Sequence, residues 1–69
     1  MSKTSYTTFG QRLQAIRAYH SWSRAALAER LGVHLQTIYR WENGLREPSL
    51  EQMRAVAKVC GVEITELVK

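Results

Sequence analysis

The sequence predicts an all-α fold, a compact five-helix bundle in one domain, and three observations predict it. Apolar residues recur at steps of three and four along the chain, with no alternating strand pattern. Serine or threonine stands before most apolar runs and glycine after them, the residue types that start and stop helices. The 69 residues are 45% hydrophobic and 23% charged. That composition is ordinary for a globular chain, at a length near the lower limit for a core that is stable unaided.

Residues 1–7 read as a flexible polar arm and residues 8–69 as the domain. The opening "MSKTSYTT" lacks the apolar stretch of a signal peptide. Thr8, followed three residues later by Gln11, has the spacing of a capping box. Phe9, Leu13, Ile16 and Tyr19 then fall on one face of a first helix over about 8–19. "HSW" breaks it. Ser23 caps a second helix over about 24–31, with Ala26, Leu27, Ala28 and Leu31 at helical spacing. Gly32 suits the left-handed position that ends a helix, and Val33 is the apolar residue that accompanies such an ending.

A third helix starts within two residues, at about 34 or 35. Ile38 and Trp41 face inward, Leu35 or Thr37 lies at the margin, and Gly44 ends it. Pro48 disfavours helix at Glu47, and Ser49 with Gln52 repeats the capping-box spacing. A fourth helix over about 49–59 turns Leu50, Met53, Val56, Ala57 and Cys60 inward. Gly61 and Val62 repeat the ending of the second helix, and a short fifth helix over about 63–68 docks Ile64 and Leu67.

The formal charge is +4, unevenly spread. Residues 1–46 hold seven basic side chains against two acidic ones, Glu29 and Glu42, whereas residues 47–69 hold three against four. Charge alone admits a polyanion partner and equally a solvated surface with a chance imbalance. The single cysteine, Cys60, cannot form an internal disulfide, which suits a reducing cytoplasmic setting, and reads as a small buried hydrophobe. No apolar run reaches the 18 residues of a membrane span. Neither His20 nor His34 has a cysteine or carboxylate at ligand spacing, so no metal site is expected.

The short step between the second and third helices is the informative feature. A turn so short, with a glycine in it, makes the helices cross at a large angle. Ala28 then serves as the small residue where the second helix approaches the first. The outer face of the third helix projects from the body and carries Gln36, Thr37 and Arg40, where a helix that only packs would be content with alanine, lysine and glutamate.

The stretch "WSRAALAERLGVHLQTIYRWENGLREPSLEQMRAVAKVCGV" resembles the Cro/C1-type, or xenobiotic-response-element, helix-turn-helix family of phage repressors. Ala28, Gly32 and Ile38 have the family's spacing, and "RWENG" followed by "REPSLE" resembles its recognition-helix end and loop. The resemblance covers about residues 9–68. It implies a helix-turn-helix DNA-binding domain whose third helix lies in the major groove of double-stranded DNA.

Residue by residue, the resemblance implies base reading by Leu35, Gln36, Thr37 and Arg40. Glutamine pairs with adenine and arginine with guanine, each bidentate pair worth about 1–3 kcal/mol of discrimination. Thr37 reaches a thymine methyl, a base edge or a phosphate, and Leu35 makes apolar contact, with a thymine methyl as the natural target. Gln36 and Arg40 taken singly are equally readable as solvated helix residues. Phosphate contacts fall to Arg24, His34, Tyr39, Asn43 and Arg46, with Arg12 and Lys3 contributing charge. Arg24 stands where the family carries a glutamine that grips the backbone. Arg17 and Glu42 stand where the family has a partly buried ion pair that leaves one arginine edge toward DNA.

A single such module buries roughly 600–1,000 Å², so selectivity calls for a homodimer on a palindromic operator. Leu45, Ile64, Leu67 and Val68 are the candidate dimer contact; the other reading makes Ile64 and Leu67 core and leaves only Val68. Two function classes stay open: a DNA-binding transcriptional regulator, as repressor or autoregulator, and a protein-interaction module or antitoxin on the same fold. No acid–base pair, activated nucleophile or phosphate-cradling loop argues for an enzyme. No cofactor and no small-molecule effector is evident.

Overall fold

The computed structural model describes residues 9–68, with the Val68 side chain outside the described set. The expectations for residues 1–8, including the Thr8 cap and Lys3, lie outside the described residues. Five helices follow in order: α1 (Phe9–His20), α2 (Arg24–Leu31), α3 (Leu35–Glu42), α4 (Leu50–Cys60) and α5 (Thr65–Val68). The fold is all-helical; α2 has the bounds expected from the sequence, and the other described bounds differ by at most one or two residues.

Local chemistry sets the ends. The Ser23 hydroxyl accepts the Ala26 N–H at 3.0 Å, capping α2. Ser49 and Gln52 form the reciprocal box at α4: the Gln52 N–H donates to the Ser49 hydroxyl at 3.0 Å and the Ser49 N–H to Gln52 Oε1 at 2.8 Å. α3 begins differently, with His34 at its cap position and no side-chain hydrogen bond there.

The endings share one device. Gly32 has φ 72°, and the Val33 N–H returns to the Ala28 carbonyl at 3.0 Å. The same reach-back closes α3 (Leu45 to Arg40, 2.9 Å) and α4 (Val62 to Ala57, 3.0 Å). α1 closes likewise, with the Trp22 N–H on the Arg17 carbonyl at 2.9 Å, but its left-handed residue is Ser21 at φ 60°. An L-residue there carries a cost that glycine does not. Three residues, Gly32 to His34, separate α2 from α3.

The core is Leu13, Leu27, Ile38, Trp41, Val56 and Leu67, all essentially sealed from solvent, with Ala28, Ala57 and Cys60 filling the closer approaches. Burying a side chain of the leucine or isoleucine class contributes about 1.5–3 kcal/mol. Phe9 meets Trp41 edge-to-face, ring centroids 5.8 Å apart. The Trp41 indole N–H is buried with no acceptor among the described residues. Burial pushes the Cys60 thiol above its ordinary pKa because the thiolate would lose solvation.

Three sequence expectations change. Tyr19 is 85% exposed rather than on the inner face of α1, because His20 takes the inward place at that end of the helix, its ring within 3.1 Å of the Cys60 carbonyl. Leu50 is exposed at the first turn of α4. Leu67, offered as a dimer contact, is 1% exposed and belongs to the core, while Ile64 is half-buried against it. α5 is a single turn and can lie over α1 only by committing Leu67 inward.

Gly10 marks a close approach of α1 to the end of α3. A Cβ there would lie 2.4 Å from the Trp41 carbonyl oxygen and 2.7 Å from that of Glu42. Both neighbours are backbone, so α1 and the end of α3 would have to separate. We expect Gly10→Ala to destabilise the fold by about 1–3 kcal/mol, the range of core overpacking, measured by urea denaturation. Ser21→Gly should relieve the left-handed strain and raise the melting temperature by several degrees, on the order of 1 kcal/mol.

Candidate nucleic-acid interface

The organising group is the Glu42 carboxylate at the last residue of α3, whose side chain is wholly buried. Arg17 grips it with two nitrogens, Nε to Oε2 at 2.7 Å and a terminal nitrogen to Oε1 at 3.1 Å. Arg24 adds a third bond, Nε to Oε1 at 2.7 Å. The expected Arg17–Glu42 pair is therefore a triad, in which one carboxylate joins α1, α2 and α3 and leaves one positive charge in excess. Arg17 gives its remaining terminal nitrogen to the Trp22 carbonyl at 3.0 Å. Its side chain remains 20% exposed and lines the same surface as the outer face of α3. Gln14 completes the tie by donating to the Glu42 backbone carbonyl at 3.3 Å.

Arg24 departs from the simple phosphate role. Its Nε is committed to Glu42, its guanidinium lies 5.5 Å above the Tyr39 ring, and its side chain is 41% exposed. Its terminal nitrogens have no acceptor among the described residues and stand at the N-terminal end of α2. That helix end is electropositive in its own right. The sequence reading missed the Arg24 bond because no spacing rule relates residues 24 and 42; only the crossing of α2 and α3 brings them together.

The outer face of α3 carries Gln36 and Arg40, both exposed, one turn apart. Leu35 and Tyr39 are each 49% exposed. Thr37 is half-buried, so of the four proposed readers it has the least side chain to offer. His34 is exposed ahead of the helix. Asn43 is exposed but uses an amide hydrogen on the Tyr39 carbonyl at 2.8 Å. Arg46 and Leu45 stand exposed in the following loop, Leu45 at 69%. Arg24, Leu35, Gln36, Tyr39, Arg40 and Leu45 together line a surface hollow of about 750 Å³. The structure thus brings Leu35, Gln36, Arg40 and Arg24 onto one surface, while Ile64 and Leu67 sit in the body with α5.

Among the described residues no helix is long and apolar enough to cross a membrane. The arrangement is a rigid, basic, polar helix face on a packed support, suited to a polyanion with readable edges. Removing Glu42 would strand two guanidiniums. We expect Glu42→Ala to cost about 3–5 kcal/mol, the range for breaking one side of a buried pair, read as a lowered melting temperature.

The chain matches the helix-turn-helix family over residues 13–67. It is 39% identical over 56 residues to an uncharacterized helix-turn-helix-type transcriptional regulator of Methanocaldococcus jannaschii, covering 81% of this chain and 85% of that one. It is 34% identical over 59 residues to the transcriptional activator BcrR of Enterococcus faecalis, covering 86% of this chain but only 29% of the activator's length. Among solved structures it is similar to the P22 c2 repressor in complex with a synthetic operator, with TM-score 0.87 and 30% identity over 93% of this chain and 97% of that one. The restriction-modification controller protein C.AhdI of Aeromonas hydrophila superposes with TM-score 0.82 and 31% identity, over 88% and 92% of the two chains. Hydroxypropylphosphonic acid epoxidase from S. wedmorenis is also similar, with TM-score 0.83 and 36% identity over 91% of this chain, but the match takes in 34% of the epoxidase, so the shared part is the helical module. The triad, the crossing of α2 and α3 and these similarities agree: the chain belongs to the helix-turn-helix family of Cro/C1 type.

Proposed function

We propose that this chain is a sequence-specific double-stranded DNA-binding transcriptional regulator that inserts α3 into the major groove. The observation that carries the reading is the exposure of Gln36 and Arg40 on a helix whose far side is sealed into the core and whose end is tied by Glu42. A reading helix has to be held rigidly while its polar side chains stay available, and both conditions are met in these residues. Similarity to the P22 c2 repressor, solved with a synthetic operator, and to two transcriptional regulators supports it. Similarity to part of an epoxidase means the fold alone does not carry the reading; the residues on α3 do.

In this reading Gln36 and Arg40 read base edges, with Leu35 and Thr37 beside them. Arg24, His34, Tyr39, Asn43 and Arg46 lie along the phosphate backbone, which supplies affinity and register rather than sequence choice. The protein acts as a repressor or autoregulator, in the cytoplasm, as a homodimer on a palindromic operator with half-sites roughly 10–10.5 base pairs apart. With Leu67 in the core, the exposed Leu45 and the partly exposed Ile64 are what remains of the proposed dimer contact among the described side chains. The module functions by binding rather than by catalysis.

Selection of sites from random duplex DNA tests the reading: enrichment of a palindrome supports it, and binding with no sequence preference overturns it. On the selected site, Arg40→Ala should relax preference at one base pair, by about 1–3 kcal/mol. Arg46→Ala should weaken all sequences alike and make the slope of log K against log salt shallower by about one unit.

A further inference from the structure

Arg24 is held at two points. Its Nε donates to the buried Glu42 carboxylate at 2.7 Å, and its guanidinium lies over the Tyr39 ring, 5.5 Å from the ring centre. We propose that Tyr39 is a positioning residue for DNA binding. Its ring fixes the plane of the Arg24 guanidinium, so that the terminal nitrogens are set for a backbone phosphate before DNA arrives. Tyr39 then acts through Arg24 and through its ring, not through a phosphate contact of its own hydroxyl. The proposal rests on the DNA-binding role of α3 and specifies how the chain grips the backbone beside it.

The geometry divides the work between the two holds. One hydrogen bond from Nε anchors an edge of the guanidinium but leaves its plane free to swing about that bond. An aromatic face removes this freedom, because a guanidinium is planar, stacks on rings and is attracted by their electron-rich face. Arg24 opens α2 and Tyr39 lies on the outer side of α3. The contact therefore also ties together the two helix surfaces that flank the hollow.

Charge marks Arg24 as the arm that reaches outward. Arg17 already holds Glu42 with two nitrogens, and its side chain is 20% exposed against 41% for Arg24. The positive charge left over by the triad thus lies on the solvent side, at Arg24. Its terminal nitrogens have no acceptor among the described residues, and Arg24 and Tyr39 line the same hollow as Gln36 and Arg40. A loose arginine has to be ordered when it binds, which costs about two- to tenfold in affinity. An arginine already stacked avoids most of that loss.

Two measurements test the proposal. In the free protein, NMR relaxation of the Arg24 Nε–H reports how ordered the side chain is. That order should be high in the parent and in Tyr39→Phe and should fall in Tyr39→Leu, which alters a half-exposed residue and should melt as the parent does. On the selected duplex, fluorescence anisotropy should show Tyr39→Leu losing about two- to fivefold in affinity for every sequence alike, the strength of a cation–aromatic contact at an exposed site. Tyr39→Phe should recover the loss, because the ring remains. Arg24→Gln should make the slope of log K against log salt shallower by about one unit, and in that background Tyr39→Leu should cost nothing further.

A loss in Tyr39→Phe as large as in Tyr39→Leu overturns the proposal, since the hydroxyl is then the contact. A Tyr39→Leu loss that persists in full alongside Arg24→Gln overturns it, as does a salt slope indifferent to Arg24. Arg24 order unchanged in Tyr39→Leu overturns it before any DNA is added. Each of these outcomes leaves selective binding, and so the regulator reading, intact. A chain that binds no duplex selectively overturns the regulator reading and this proposal with it.

Discussion

The rest of the molecule depends on how a buried carboxylate is accommodated at the end of α3. Glu42 is placed unfavourably on two counts. Its side chain is removed from water, which costs several kcal/mol for an ion, and it sits at the C-terminal end of a helix, where the partial charge is already negative. Two arginines from two other helices offset this, through three charge-assisted hydrogen bonds of 2.7–3.1 Å. Such an arrangement is weak evidence for net stability, since desolvation consumes much of the attraction. Its value is geometric. A carboxylate with three directed bonds admits few orientations, so α3 is held at one angle to α1 and α2.

The apolar core surrounds this point and gives it its rigidity. Gly10 lets the α1 backbone approach the carbonyls of Trp41 and Glu42, and Gln14 takes up the Glu42 carbonyl from the same helix. Ile38 and Trp41 anchor the inner side of α3. Gln36 and Arg40 are thereby positioned by packing on the far side of α3, while Tyr39 also meets Arg24 directly. Arg24 shows the economy of the device: the side chain that helps hold Glu42 also forms a wall of the exposed hollow, so support and surface share an atom group.

That coupling gives the exposed face its character. The triad carries an excess positive charge that the core cannot use, and it lies beneath the surface from which Gln36 and Arg40 project. Leu35, Tyr39 and Leu45 break the polar face with apolar area that solvent does not favour. Directed donors, uncompensated charge and exposed apolar side chains thus share one face of the molecule.

The helices, their order and most of their ends were legible in the chain because they follow from local chemistry. Ser23 and Ser49 cap, Gly32 and Gly61 stop, and Leu13, Leu27, Ile38 and Val56 repeat with helical period, all within reach of a few residues. The Arg17–Glu42 pairing was legible only through resemblance to a family. What local pattern could not reach was which side chains a helix end actually commits. Leu50 sits at the right period yet falls in the exposed first turn of α4, Tyr19 yields the inward place to His20, and Leu67 on a single-turn helix was ambiguous until α5 lay against α1. The union of Arg24 with Glu42, the need for glycine at position 10 and the gathering of Leu35, Tyr39 and Leu45 around one hollow arise where separate helices cross. The physical reason is range: capping and periodicity act over three or four residues, whereas a buried charge finds its partners through space, wherever the packing brings them.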